Sequence, residues 1–113
     1  MAFIINLQNL EMKAHPKFEG VKIGYIITKE KHPELSITVL EVSAGAEIPL
    51  HMHEKEVDTI FVLEGKAKIY LEDTWKNVKK GDVIVVSPKE IHGIKTVGKK
   101  PLKCYIVHAP ALW

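Results

Sequence analysis

Gly45-Ala46-Glu47-Ile48-Pro49-Leu50-His51-Met52-His53-Glu54-Lys55-Glu56-Val57-Asp58-Thr59-Ile60-Phe61-Val62-Leu63-Glu64-Gly65 is the stretch on which the reading of this chain turns. Its apolar residues follow a period of two, which predicts strands over Ala46 to His53 and Val57 to Leu63. Residues two apart on a strand project from the same face, so the imidazoles of His51 and His53 can approach one point. Chance alone would give roughly 0.3 such His-x-His pairs in a chain of this histidine content, so the pair takes its meaning from its surroundings. The glycine and carboxylate offsets supply them: G-x5-HxH-x4-D-x6-G, ending at Gly65, where Glu64-Gly65 predicts a tight hairpin with a positive φ at the glycine.

Outward from this block the same pattern continues. Ala67, Ile69 and Leu71 alternate with Lys66, Lys68, Tyr70 and Glu72, a strand with one buried and one wet face. Gly81-Asp82 marks a further turn, and His92 follows Gly81 by eleven positions. Further strands are expected at Val21 to Thr28, Ser36 to Val42, Asp82 to Val86, Ile91 to Thr96 and Leu102 to His108. Asn6 to Gly20 reads as a short helix or irregular arm, and Lys29 to Glu34 as a polar loop. Short strands spaced by about 8 to 12 residues, without a sustained period near 3.6, predict an all-β sandwich or closed barrel.

On these residues the sequence resembles the cupin superfamily, whose motifs read G-x5-H-x-H-x3-4-E-x6-G and G-x5-P-x-G-x2-H-x3-N. Gly45, His51, His53 and Gly65 match the first motif, and Gly81 and His92 match the second. Asp58 stands where the family has Glu; Ser87, Lys89 and Thr96 occupy the proline, glycine and asparagine places, with Pro88 one position late. The resemblance implies a jelly-roll β-barrel, the family's double-stranded β-helix, forming a single cupin domain over residues 1–113. It would have an N-terminal arm over 1–20, the barrel over about 21–108 and a tail over 109–113.

The resemblance further implies a site for a divalent metal cation (Mn, Fe, Ni, Co, Cu or Zn) held by His51, His53, Asp58 and His92, with Glu56 as a reserve carboxylate and positions left open for a ligand. The implied function is a metal-binding cupin: a metal-dependent oxygenase or related enzyme acting on a small organic substrate, or a non-catalytic sensor or storage module. Ile60, Val62 and Ile84 would keep the cavity apolar. His108 shares a strand face with Cys104 and reads as a structural residue that could also reach the cavity; His15 and His32, beside prolines, read as surface.

Composition narrows the alternatives. The chain has 113 residues, enough for one core. All sixteen basic residues are lysine, and the net charge is only +2, so nucleic acid is not an expected partner. No apolar run reaches the roughly 20 residues of a bilayer span, and Cys104 has no partner for an internal disulfide, so no membrane association and a cytoplasmic setting are expected. Ile48, Leu50 and Met52 on one strand, and Thr59, Phe61 and Leu63 on the next, are expected to face away from the histidines. Such apolar outer faces predict a homodimer, with the arm Phe3 to Leu7 adding an edge strand. The alternative is cover from the chain's own arm or from Ala109 to Trp113.

Overall fold

In the structure, a computed structural model that describes residues 2–113, the alternating segments become ten strands. They are β1 (Lys13–Ala14), β2 (Val21–Ile27), β3 (Ser36–Val42), β4 (Glu47–His51), β5 (Val57–Glu64), β6 (Lys66–Leu71), β7 (Thr74–Lys79), β8 (Val83–Val86), β9 (His92–Val97) and β10 (Leu102–Ala109). They form two antiparallel sheets: six strands in the order β1-β2-β3-β10-β5-β8, and four in the order β4-β9-β6-β7. The inward residues of both sheets, Ile23, Val42, Ile48, Val62, Ile69, Val86 and Ile106 among them, make one aliphatic core. Its β-branched side chains suit the pleated, half-buried surfaces that present them.

The all-β expectation holds, but the closed barrel does not: the structure has two separate ladders. At the corner after β7, the Gly81 amide donates to the Val62 carbonyl and the Val62 amide donates to the Asp82 carbonyl, so the corner is tied to β5 and β8 continues beside β5 instead of pairing with β7. Gly65 also differs from the hairpin expected of it. β5 already has β10 on one side and β8 on the other, so the chain leaves that sheet at Gly65 (φ +90°) and β6 starts in the other. A Cβ at Gly65 would stand 2.6 Å from the Pro101 carbonyl oxygen.

Strand β7 was not foreseen. Val78 alone is partly buried along it, so it carries no legible alternation. The turn before it places both Glu72 (φ 49°) and Asp73 (φ 67°) in the left-handed region without the Asn-Gly pair that usually advertises such a turn. β4 also departs from strict alternation. Its register shifts between Ile48 and His51, which turns Ile48 inward to 4% exposure; Leu50 stays outward, and Met52, also expected outward, lines the cavity mouth.

The arm contains a 3-10 turn at Leu7–Asn9, capped by Asn6 Oδ1 accepting from the Gln8 amide at 2.9 Å. Leu10 and Met12 then pack where a Cβ at Gly24 would sit, so the arm covers the outer side of β2. Residues 109–113 run the other way, across the open end between the sheets. There the Leu112 amide donates to Ser36 Oγ at 3.0 Å and the Lys29 amide to the Trp113 carbonyl at 2.7 Å.

Gly65→Ala is expected to cost about 2–4 kcal/mol of stability, combining left-handed strain with overpacking, against about 1–2 kcal/mol for Gly45→Ala, where a Cβ meets open space. Urea unfolding of both variants checks this order.

Candidate metal centre

The open end between the sheets encloses a cavity of about 300 Å³. Each sheet sends side chains into it. In the four-stranded sheet, His51 on β4 lies directly opposite His92 on β9, with ring centroids 4.2 Å apart. In the six-stranded sheet, Asp58 on β5 lies directly opposite His108 on β10. His53, just beyond the end of β4, lies between the two pairs, 5.0 Å from the rings of both His51 and His108. All four sequence-derived site residues therefore converge, and His108 joins them.

Asp58 is the hub. Its Oδ2 lies 3.2 Å from His92 Nε2, 3.4 Å from His108 Nε2 and 3.5 Å from His53 Nε2, with Asp58 only 4% exposed. Burial by itself would raise the carboxyl's pKa, but bonds from His108, His53 and His92 hold it well below the usual carboxylate range. The second oxygen, Oδ1, is buried without a hydrogen-bond partner.

Backbone carbonyls orient two of the rings. His51 Nδ1 donates to the Pro49 carbonyl at 2.7 Å, and His92 Nδ1 donates to the Glu90 carbonyl at 2.9 Å, so each turns Nε2 toward the cavity. Burial lowers the pKa of His51, outweighing the Pro49 carbonyl, and this favours a neutral ring with a free lone pair. For His92, burial alone would lower the pKa, but the Asp58 bond and the Glu90 carbonyl together raise it. A carboxylate only accepts hydrogen bonds, so with Nδ1 already donating, His92 Nε2 needs either a second proton or a cation between itself and Asp58.

This donor set fits a divalent ion. His51, His53 and His92 form one group whose ligand atoms lie within 4.8 Å of one another, and His53, Asp58 and His108 form a second. Ligand atoms placed about 2.1 Å from a tetrahedral ion stand about 3.4 Å apart, close to the separations around Asp58 Oδ2. The unpartnered Oδ1 adds a further oxygen donor. Glu56 lies outside both groups, and its Oε1 accepts from the Lys55 amide at 3.4 Å.

The cavity walls are Leu40, Ile48, Ile60, Ile94 and Ile106; Val62 and Ile84, expected to line the cavity, lie in the core instead. His15, expected at the surface, is half-buried at the rim. Its Nδ1 accepts from the Lys17 and Phe18 amides, and its ring stacks on Phe18 at 4.6 Å and meets the edge of Trp113 at 5.5 Å. Nothing local in the sequence marks His15 as a rim residue. His108 did carry a signal, its parity with the buried Cys104 and Ile106. Burial, and then the nearby Asp58 charge, push the Cys104 thiol up to about 12, so it is no nucleophile.

For metal-free protein held in chelator, the lowered pKa of Asp58 makes its contribution to stability present above its unfolded pKa and lost as pH falls through the folded value. The raised pKa of His92 makes its contribution full below its unfolded pKa and lost as pH rises through the folded value. The Tm advantage of wild type over Asp58→Asn is therefore expected to be largest between about pH 4 and 6.5 and to shrink on either side. A thermal-shift series across pH checks it, and an advantage that grows steadily to pH 9 contradicts the pairing.

The cupin-domain family model matches residues 38–108. Over 88 residues the chain is 34% identical to an uncharacterised protein of Methanocaldococcus jannaschii, covering 73% of this chain and 70% of that protein. It is 29% identical over 80 residues to the inner kinetochore subunit cnp3 of Schizosaccharomyces pombe, covering 71% of this chain but only 12% of cnp3. The solved cupin domain of Cnp3 superposes with a TM-score of 0.81 at 24% identity, covering 93% of this chain and 72% of that one. A predicted oxalate decarboxylase of Thermotoga maritima superposes with a TM-score of 0.87 at 20% identity, covering 96% and 99%. These structural likenesses show the fold, while the family-model match over residues 38–108 takes in His51, His53, Asp58, His92 and His108. The chain belongs to the cupin family.

Proposed function

We propose that this cupin holds one divalent metal ion through His51, His53, Asp58 and His92 and acts there on a small organic substrate, as a metal-dependent oxygenase or a related enzyme. The observation that carries this reading is the buried Asp58 carboxylate, with one oxygen amid three imidazoles and the other without a partner. When bound, the ion would supply Lewis-acid polarisation and open positions for a ligand's oxygen atoms.

The chain's own residues supply the rest. The Pro49 and Glu90 carbonyls hold the His51 and His92 rings in orientation, as outer partners of metal-binding histidines commonly do. His108 bonds to Asp58 and restrains the carboxylate from the opposite sheet. The aliphatic walls lower the local polarity, which strengthens polar contacts inside the cavity.

A second reading, a binding module without turnover, is favoured by the sequence likeness to an inner kinetochore subunit. Oxygen consumption and product analysis with and without added Fe²⁺ or Mn²⁺ separate the two: metal uptake without turnover across a panel of small organic substrates supports the module.

His51→Ala/His53→Ala is expected to abolish stoichiometric metal binding, measured by elemental analysis after dialysis. Asp58→Ala is expected to weaken affinity by about tenfold to a hundredfold. Metal should dissociate as pH falls through about 5 to 6, because protons compete for the imidazoles. A full equivalent of metal in the double variant, or occupancy unchanged down to pH 4, contradicts the assignment.

The proposed assembly is a homodimer through the outer face of the six-stranded sheet. On that face Phe61 lies opposite Val83, and Thr59 opposite Val85; Val83 and Val85 are 58% and 61% exposed, and β8 is a free sheet edge. The arm covers β2 and residues 109–113 cross the cavity, so neither shields the β5–β8 part of this face. Light scattering is expected to give twice the 12.8 kDa of one chain, and Val83→Lys/Val85→Lys to give monomer. A wild-type mass near 12.8 kDa overturns the proposal.

A further inference from the structure

The cavity is one-sided in charge. Among the described residues Asp58 is the sole side-chain carboxylate that lines it, and three imidazoles already meet that charge. Glu54, Glu56 and Glu90 flank the metal donors in sequence, but none of them lines the cavity. The Trp113 carbonyl is engaged by the Lys29 amide at 2.7 Å. At the mouth stand Lys17 and His15. The Lys17 ammonium is exposed, and the ion pairs made by lysines among the described residues are Lys13–Glu11 and Lys76–Glu72, so no acid within the chain neutralises it.

Local structure fixes what His15 presents. Its Nδ1 accepts from the Lys17 amide at 3.0 Å and from the Phe18 amide at 3.3 Å, so the turn His15-Pro16-Lys17-Phe18 closes on its own first side chain. Nδ1 is thereby the lone-pair nitrogen, and the proton of the neutral ring lies on Nε2. Burial, and then the Lys17 charge, lower the pKa of His15 and favour that neutral form. Nε2 has no oxygen or nitrogen partner among the described residues and keeps accessible surface, unlike the sealed Thr38 Oγ1 and His108 Nδ1. Phe18, stacked on the ring at 4.6 Å, and Trp113, edge-on at 5.5 Å, hold the imidazole in place.

The rim therefore offers two donors, one of them charged, and no acceptor. An ammonium would be repelled by Lys17, and a neutral hydroxyl or amide would gain no charge-assisted bond. A phosphoryl group calls for more donors than these two, and the Lys17 and Phe18 amides that could supply them are already bonded to His15. A carboxylate accepts from both rim groups at once, with the Lys17 bond charge-assisted. Beneath the rim, Leu40, Ile48, Ile60, Ile94 and Ile106 suit an apolar body, and about 300 Å³ is at the lower end of the roughly 300–1,000 Å³ range of small-molecule pockets. We infer that Lys17 and His15 Nε2 form a carboxylate subsite at the cavity mouth, for a small organic acid with an apolar body. This names the substrate class of the site proposed above; it rests on the reading of the cavity as a ligand site and needs no bound metal.

The test titrates benzoate, benzamide and phenyl phosphate into the full chain held in chelator, following ¹H–¹⁵N spectra and the ¹⁵N resonance of His15 Nε2. Benzoate and benzamide have nearly the same shape, and only benzoate carries a charge. Benzoate is expected to bind at least tenfold tighter than benzamide, to bind no more weakly than phenyl phosphate, and to shift the His15 Nε2 resonance. Lys17→Met, an exposed substitution that keeps the apolar stem and removes the ammonium, is expected to cut the benzoate preference at least fivefold. Equal affinities for benzoate and benzamide, tighter binding of phenyl phosphate, a His15 resonance unmoved by benzoate, or a preference kept in Lys17→Met would each overturn the inference while leaving the cavity a ligand site. Binding of none of the three would overturn both. Metal uptake is read separately by elemental analysis, so benzoate preference in a protein that takes up no metal would sink the metal-site reading and leave the carboxylate subsite standing.

Discussion

A buried carboxylate is the constraint around which the open end of this molecule is organised. An ionised carboxylate taken from water into an apolar interior is destabilising unless charge and hydrogen bonds meet it. Asp58 projects inward from β5, the strand next to the β8 edge of the six-stranded sheet, and three imidazoles converge on one of its oxygens. One comes from its neighbour strand, one from the facing sheet and one from the segment linking the two. The same contacts that stabilise the charge also tie β5, β9 and β10 together at an end where aliphatic packing gives way to a cavity.

Much of this was legible in the residues. The offsets from Gly45 to His51 and His53, and from Gly81 to His92, located three of the converging rings because they record strand and corner lengths that the fold fixes. The alternation of Ala67, Ile69 and Leu71 located β6 because that strand has one face in the core. What stayed illegible depended on tertiary neighbours. Gly65 has the sequence of a hairpin turn, but only the occupied edges of β5 send the chain to the other sheet. Ile48 follows the outward parity of its strand until the bulge before His51 reverses it. β7 exposes nearly all its side chains and so loses the pattern that would reveal it. His108 and His15 are far from the histidine motif in sequence, and only pairing with β5 and packing against Trp113 bring them to the cavity.

Fold likeness and chemistry separate cleanly here. A TM-score of 0.87 at 20% identity shows how closely the two-sheet framework is shared, but a framework hosts many reactions. The chemistry of this chain is local: a buried aspartate amid three imidazoles, with His108 facing it from β10. The aromatic rim of His15, Phe18 and Trp113 gives the cavity a ring-lined mouth above aliphatic walls. The donors sit where both sheets meet, and His108 ties Asp58 to β10.

The central claim, that the cluster around Asp58 is a metal centre, is tested most directly by anomalous diffraction from crystals of the full chain grown with Fe²⁺ or Mn²⁺. The account predicts one anomalous peak per chain, within about 2.0–2.3 Å of the Nε2 atoms of His51, His53 and His92 and of an Asp58 oxygen. No peak at that position, with the imidazoles still bonded to Asp58 through protons, would contradict it.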